Sequence, residues 1–249
     1  MRLHAAPAAR HIGRTMENTE LDQLIWNALT GEQARFALGS GNARRFHPDI
    51  GPLAAVRDHS PESLADFAAL CREHGPLALM QPGESVPVPG IDLVKTAKGV
   101  QMIFAGDAAA RDAIDAAVQD PRIVSLETPD HPEMLELATL TEPGPFGTRT
   151  GELGEFWGVK EDGRLLAMAG QRTRTGSHIE VSAVCAHPDA RGRGLAALLS
   201  RRVAAAILDT GRTPILHSYA DNAAALALYH KLGFVERARV SLTIYAPSA

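Results

Sequence analysis

The stretch from Glu180 to Ala196 constrains this chain more than any other. An alternating apolar run predicts a strand over residues 178–186, which must end at His187-Pro188 because proline cannot donate to a ladder. A loop broken by Gly192 and Gly194 and charged by Arg191 and Arg193 follows. Leu195, Leu198, Leu199, Val203, Ala206 and Ile207 then place a continuous stripe on one face of a helix. A strand, a glycine loop and a helix in this order leave unpaired N–H groups at the helix N-terminus, beside glycines that let an anion approach the backbone. Alone, such a loop reads better as a surface turn with solvated arginines. The flanking elements, and a second motif downstream, favour a di-anion site.

Bulk properties narrow the function. The 249 residues suffice for one large or two modest domains. Hydrophobic content of 45% and charged content of 22% are those of a globular protein. A formal charge of -4 gives no general basic surface, so neither nucleic acid nor an anionic membrane is expected as partner. No apolar run approaches the ~20 residues that span a bilayer. Cys71 and Cys185 stand far apart, in no metal-type or redox-type spacing. A reducing, cytoplasmic compartment without a metal site is the expectation. Residues 1–16 contain Arg2, Arg10 and Arg14 and no acid, loosely like a transit peptide. Without an amphipathic stripe they read instead as an unstructured extension, or as sequence ahead of a start at Met16.

Composition divides the chain near Asp120-Pro121. We expect an N-terminal α/β domain over 17–106, a helical connector over 107–120 and a catalytic domain over 121–249. In the first part, Leu21, Leu24, Ile25, Ala28 and Leu29 predict a helix, and Ser60-Pro61 opens another. Residues 77–80 and 100–104 read as strands, and glycines and prolines near 39–48 break regular structure between the helices. In the second part, strands are expected at 122–126, 155–160, 165–170, 178–186 and 214–219, with a last one around Leu242 and Ile244. Asp162-Gly163 supplies a hairpin turn, and Asp221 opens a helix running to Lys231. This is an α/β (α+β) layout.

The second motif runs from Ser218-Tyr219 through Asn222 to Leu228-Tyr229, ending at Leu232-Gly233-Phe234. Together with Arg191 to Ala196, it resembles the acetyl-CoA-binding core of the GNAT superfamily of N-acetyltransferases. Among its branches the wording is most similar to glycine N-acyltransferase-like proteins. The likeness is specific over about residues 153–246. Over 17–106 it is faint and suggests a degenerate GNAT-like half. The implied fold is a mixed, mostly antiparallel twisted sheet flanked by helices.

The resemblance also implies roles. Val184, Cys185 and Ala186 would splay from the neighbouring strand and pair with the pantetheine arm of acetyl-CoA. Arg191, Gly192, Arg193, Gly194, Leu195 and Ala196 would hold its pyrophosphate, with Asn222 hydrogen-bonding nearby. Tyr229 matches the tyrosine that contacts the cofactor and protonates the departing thiolate. Glu180 occupies the place of the general base in histone-type members. For both residues an ordinary alternative stands: a packing tyrosine, and a strand carboxylate paired with a basic neighbour. Arg149 and Glu152 precede the strand bordering the acceptor site and would touch substrate, unless they form a simple surface loop. His187 and His217 read as structural, and Cys185 as buried packing rather than a nucleophile. The implied activity is transfer of an acetyl group to a primary amine, small molecule or peptide, by direct attack. A homodimer is compatible with this, and the alternative is a non-catalytic acyl-CoA-binding or regulatory module.

Overall fold

Residues 20–248 are described in this computed structural model; the extension read over 1–16 lies outside the described residues. In chain order the first elements are α1 (Leu24–Thr30), β1 (Ala37–Leu38), β2 (Ala43–Phe46), β3 (Leu53–Val56) and α2 (Pro61–His74). Next come β4 (Leu77–Pro82), β5 (Ile91–Phe104), α3 (Ala108–Val118), β6 (Ile123–Leu126), α4 (His131–Thr141) and β7 (Phe156–Glu161). The last are β8 (Arg164–Arg174), β9 (His178–Ala186), α5 (Leu195–Asp209), β10 (Thr213–Tyr219), α6 (Ala223–Lys231) and β11 (Phe234–Pro247). The strands form one sheet in the order β1-β2-β3-β4-β11-β5-β10-β9-β8-β7-β6. Only β3·β4 and β9·β10 are parallel, so the sheet is mostly antiparallel, as expected.

Those two parallel pairs organise the molecule. Each is joined by a crossover helix, α2 in the first case and α5 in the second, because parallel neighbours need a long connection. Each is followed by a strand of 14 residues, β5 or β11. These long strands change places: β5 pairs with β10, and β11 pairs with β4. They also pair with each other from Ile91↔Pro247 to Phe104↔Phe234. Each half's sheet is thereby completed by the final strand of the other.

The halves differ at their crossover helices. In α2, Ser60 Oγ accepts the Ser63 amide at 3.3 Å, while Asp58 Oδ1 accepts the Ser60 amide at 3.0 Å and the Ser63 hydroxyl at 2.7 Å. These bonds, with the side-chain ones dominant, hold the Asp58 carboxyl down at about 2. The helix N-terminus is thus already served by an internal anion. In α5 the N-cap is Gly194, which offers no side chain, and the first turn carries no acid. Leu195, Leu199, Val203 and Ile207 fasten α5 to the sheet as the stripe predicted, each fully buried.

Three strands escaped the sequence pattern. β1, β2 and β3 are two to four residues long; β2 lies within the segment near 39–48 taken as breaking regular structure, and β1 and β3 flank it. β5 and β11 begin or end far beyond the runs read as strands. Asn222, not Asp221, caps α6, its Oδ1 accepting the Ala225 amide at 3.1 Å.

Candidate active site

β9 and β10 part company in the middle of the sheet. Their parallel pairing covers Thr213↔His178, Pro214↔Ile179 and Ile215↔Glu180 and then stops. From there β10 stays with β5 out to Tyr219↔Gly99, whereas β9 stays with β8. A bulge helps β9 to turn away. Met168↔Cys185 and Gly170↔Ser182 span two steps on β8 and three on β9, and the extra residue lies beside Ala183, at φ 53. The gap between the strands opens into a cleft of about 710 Å³, lined on one side by Val184, Cys185 and Ala186.

At the end of β9 the chain turns through Pro188–Ala190, where His187 Nδ1 accepts the Asp189 amide at 3.2 Å. Gly192 (φ 75) and Gly194 (φ 74) take the left-handed conformation that glycine adopts without steric cost. A methyl group added at either would meet no heavy atom within 4 Å, so the space before the helix is open. Among the described residues, no protein acceptor outside the helix takes the amides of residues 192–197. Arg191 lines the cleft, and none of the described residues forms an ion pair with it. Arg193 is turned away: its guanidinium grips Glu161 at the end of β7, with Nη1 to Oε2 at 3.0 Å and a second, shorter contact. Leu195 is buried in the core and can offer an anion only its backbone.

Tyr229 stands on α6 at the far wall of this cleft, 8% exposed. Its ring meets Phe234 edge-on at 6.2 Å, and no described residue hydrogen-bonds its hydroxyl. Burial pushes its pKa up to about 12, so the proton stays on the oxygen at neutral pH. Burial also pushes the Cys185 thiol up to about 11, which makes it a poor nucleophile.

Glu180 has a different setting from that of an accessible base. It is 1% exposed, and both of its oxygens are engaged. Arg172 on β8 donates through Nε to Oε2 at 3.0 Å and through Nη2 to Oε1 at 2.6 Å. His217 Nδ1 on β10 lies 2.7 Å from Oε1. Burial alone would raise the Glu180 carboxyl; the Arg172 charge and the His217 contact outweigh it and hold the group far below the usual carboxylate range. The row continues across the sheet. Gln101 Oε1 on β5 accepts from Arg237 on β11 at 2.7 Å, which fixes the amide so that its Nε2 donates to Leu21 O and to His217 Nε2, both at 3.1 Å. His217 therefore carries its hydrogen on Nδ1 and gives it to Glu180. Five neighbouring strands contribute one side chain each to a buried polar row, of which Arg172 and His217 face the cleft.

A family model described as FR47-like protein matches residues 157–242. A crystal structure from Novosphingobium aromaticivorans, assigned to the GNAT family as an acetyltransferase, is 41% identical over 93% of this chain and 100% of its own, with a TM-score of 0.83. The chain belongs to the GNAT family. More distant GNAT structures share the fold at lower identity. A GCN5-related N-acetyltransferase from Kribbella flavida is 15% identical, covering 92% of this chain and 96% of its own, with a TM-score of 0.59. A tandem GNAT protein from the clavulanic acid biosynthesis pathway is 17% identical, covering 83% and 79%, with a TM-score of 0.52. No curated protein sequence matches the chain.

GNAT proteins are acyltransferases that use acetyl-CoA, and the residues expected to hold it here fall into two groups. Val184, Cys185, Ala186, Arg191, Ala196, Asn222 and Tyr229 share one cleft. Gly192, Gly194 and Leu195 shape the loop at its mouth, whereas Arg193 is committed to Glu161. Arg149 and Glu152 are not brought to the cleft. They bind each other through two contacts of 2.7 and 2.8 Å, and the Arg149 amide is tied to Asp49 O, which makes the segment a brace against the first half. Sequence reasoning missed Arg172, because a lone arginine in a strand carries no motif. It also missed the walls that the first half supplies: Leu53, Met80, Ala97 and Gly99. Among the described residues, no helix is long and apolar enough to cross a membrane, and no group of three His, Cys, Asp or Glu could hold a metal.

Proposed function

We propose that this GNAT protein moves the acetyl group of acetyl-CoA to a primary amine by direct attack. The observation that carries this reading is one cleft holding a strand edge freed by the β9–β10 splay, a helix N-terminus with unserved amides, and a protonated tyrosine. A thioester bound there supplies an activated acyl carbon. The loop amides and Arg191 suit two linked phosphates. Val184, just past the bulge, offers a backbone N–H for charge building on the carbonyl oxygen, a type of contact worth ~2.7–4 kcal/mol where removed in other enzymes. The Tyr229 hydroxyl serves the departing sulfur as hydrogen donor. Glu180 holds Arg172 and His217 in place and does not itself take the amine proton, since no free oxygen of it meets the cleft.

The occupied Glu180 also favours a second reading, a non-catalytic acyl-CoA-binding module. Calorimetric titration with acetyl-CoA, followed by free-thiol release across a panel of amines, separates the two. Binding with amine-dependent release supports transfer. Binding without release leaves the module, and no binding removes both.

A further inference from the structure

With Glu180 enclosed, the reaction lacks a proton acceptor, and the cleft contains one candidate. The first lobe, which holds Val184 and Tyr229, adjoins a second lobe of about 950 Å³. The two share Ala97, Glu142, Gly144, Pro145, Tyr219 and Leu242 at their waist. Among the described residues, Asp221 is the only other acid lining the second lobe, and the sole acidic residue lining the first is Glu142. It follows α4 in the left-handed conformation at φ 47, ψ 54, a position that glycine or asparagine usually fills. Its own amide bonds back to Ala138 O, while none of the described residues pairs with its exposed carboxylate. The charged and titratable groups around it are Arg172, Cys185, Arg191, His217 and Tyr229 in the first lobe, Tyr219 at the waist, and Lys95, Lys98 and Asp221 in the second. Arg172 is neutralised by Glu180, and Lys98 is paired with Glu84. Leu53, Met80, Val240 and Leu242 give the first lobe an apolar wall, beside the uncharged polar side chains of Thr141, Ser218 and Asn222.

We propose that Glu142 is the catalytic proton acceptor, and that the acceptor is a primary monoamine with an apolar body entering through the second lobe. This rests on the acyl-transfer reading. An ammonium drawn to the waist gives one proton to the Glu142 carboxylate, which later returns it to solvent. The freed nitrogen lone pair bonds to the thioester carbonyl carbon, and the carbon–sulfur bond breaks. The sulfur takes a proton from Tyr229, and the second nitrogen proton reloads that tyrosine. The sum is ammonium plus acetyl-CoA giving amide, free thiol and one released proton.

The test uses the full chain, acetyl-CoA, and 2-phenylethylamine and hexylamine as probes, with thiol release followed from pH 6 to 10.5. Expected is release by the wild type, a fall in kcat/KM of about 100-fold for Glu142→Gln at pH 7, and partial activity for Glu142→Asp. Acetyl-CoA affinity should stay within about twofold. The deficit should shrink as pH approaches ~10, where the amine arrives already deprotonated; a merely structural loss would not recover. Equal activity of Glu142→Gln and wild type at every pH overturns the assignment, and so does acetyl-CoA binding without turnover of either probe. If Glu142→Gln does not fold, the Glu142→Asn and Glu142→Asp pair decides by the same pH criterion. Failure of the folded wild type to bind acetyl-CoA removes the acyl-transfer reading itself.

Discussion

Replacing Gly194 by glutamate separates the stability of the fold from its affinity for an anion. Gly194 adopts φ 74, and a side chain there would point into open space. The folded protein therefore pays only the left-handed backbone cost, ~1–2 kcal/mol. A carboxylate at the start of α5 recovers ~0.3–1 kcal/mol from the unserved amides and the helix dipole. The net change is about 1 kcal/mol, or ~2–4 °C in Tm for a chain of this size. Binding should respond very differently. The new charge occupies the place of two phosphates, and one pair of like charges 4 Å apart repels by ~4 kcal/mol at an effective dielectric of 20. Even half of that is a factor of about 30, and loss of the amide contacts adds to it. Thermal melts with and without acetyl-CoA measure both quantities. At 100 times Kd the wild type should gain ~2.7 kcal/mol, or ~5–11 °C, and Gly194→Glu should gain none while its ligand-free Tm stays close to wild type. Unchanged acetyl-CoA affinity in a folded Gly194→Glu protein would refute the placement of the pyrophosphate.

Three further outcomes follow from the site. Tyr229→Phe should leave the acetyl-CoA Kd within a few-fold and lower kcat, because the hydroxyl meets no partner among the described residues that its removal would strand; stopped thiol release with normal calorimetric binding checks it. Arg172→Met leaves Glu180 charged and enclosed, a loss of ~3–5 kcal/mol in denaturant melts, whereas Arg172→Met combined with Glu180→Leu should lose much less; equal losses would mean that the pair is not the source. Glu180 also sets an acid limb. Its folded-state pKa lies below that of the unfolded chain, ~4.3, so its contribution is complete above that value and is lost as pH falls toward the folded one. Stability of the wild type should decline below pH ~5, with a shallower decline in the Arg172→Met, Glu180→Leu double variant.

Much of the second half was legible because its information is local. The alternation of residues 178–186, the glycines before Leu195 and the stripe of α5 each obey a short-range rule, and the structure places each element where the rule puts it. Asp162-Gly163 likewise turns the β7–β8 hairpin with both residues at positive φ. What stayed hidden depends on partners distant in sequence. Residues 91–99 alternate poorly, since β11 pairs them along one edge while only their far end meets β10. Glu180 stood between a general base and a carboxylate paired with a basic neighbour, because no rule links it to Arg172, eight residues away across an irregular hairpin, or to His217 on the next strand. Arg149 and Glu152 were judged by neighbourhood in the chain, yet they face Asp49 and each other.

The strand exchange explains why the first half matters to chemistry that its own sequence does not encode. Its crossover helix cannot receive a foreign anion while Asp58 occupies the N-terminal turn, and its loop has no glycine at positions 57–60. The same topology on the other side leaves Gly192 and Gly194 facing open space. One half therefore leaves its helix N-terminus open while the other fills it with its own carboxylate. The shape of that other half is still required. β11 must pass beside β4 before it can carry Val240 and Leu242 into the cleft, and β5 must pass beside β10 before Ala97 and Gly99 reach it. Removing residues 20–106 would strip the sheet of β5, leave β11 without either neighbour, and take away the cleft wall that Leu53, Met80, Ala97 and Gly99 supply. The cleft is lined by both members of the exchanged pair of strands, and neither half can form it alone.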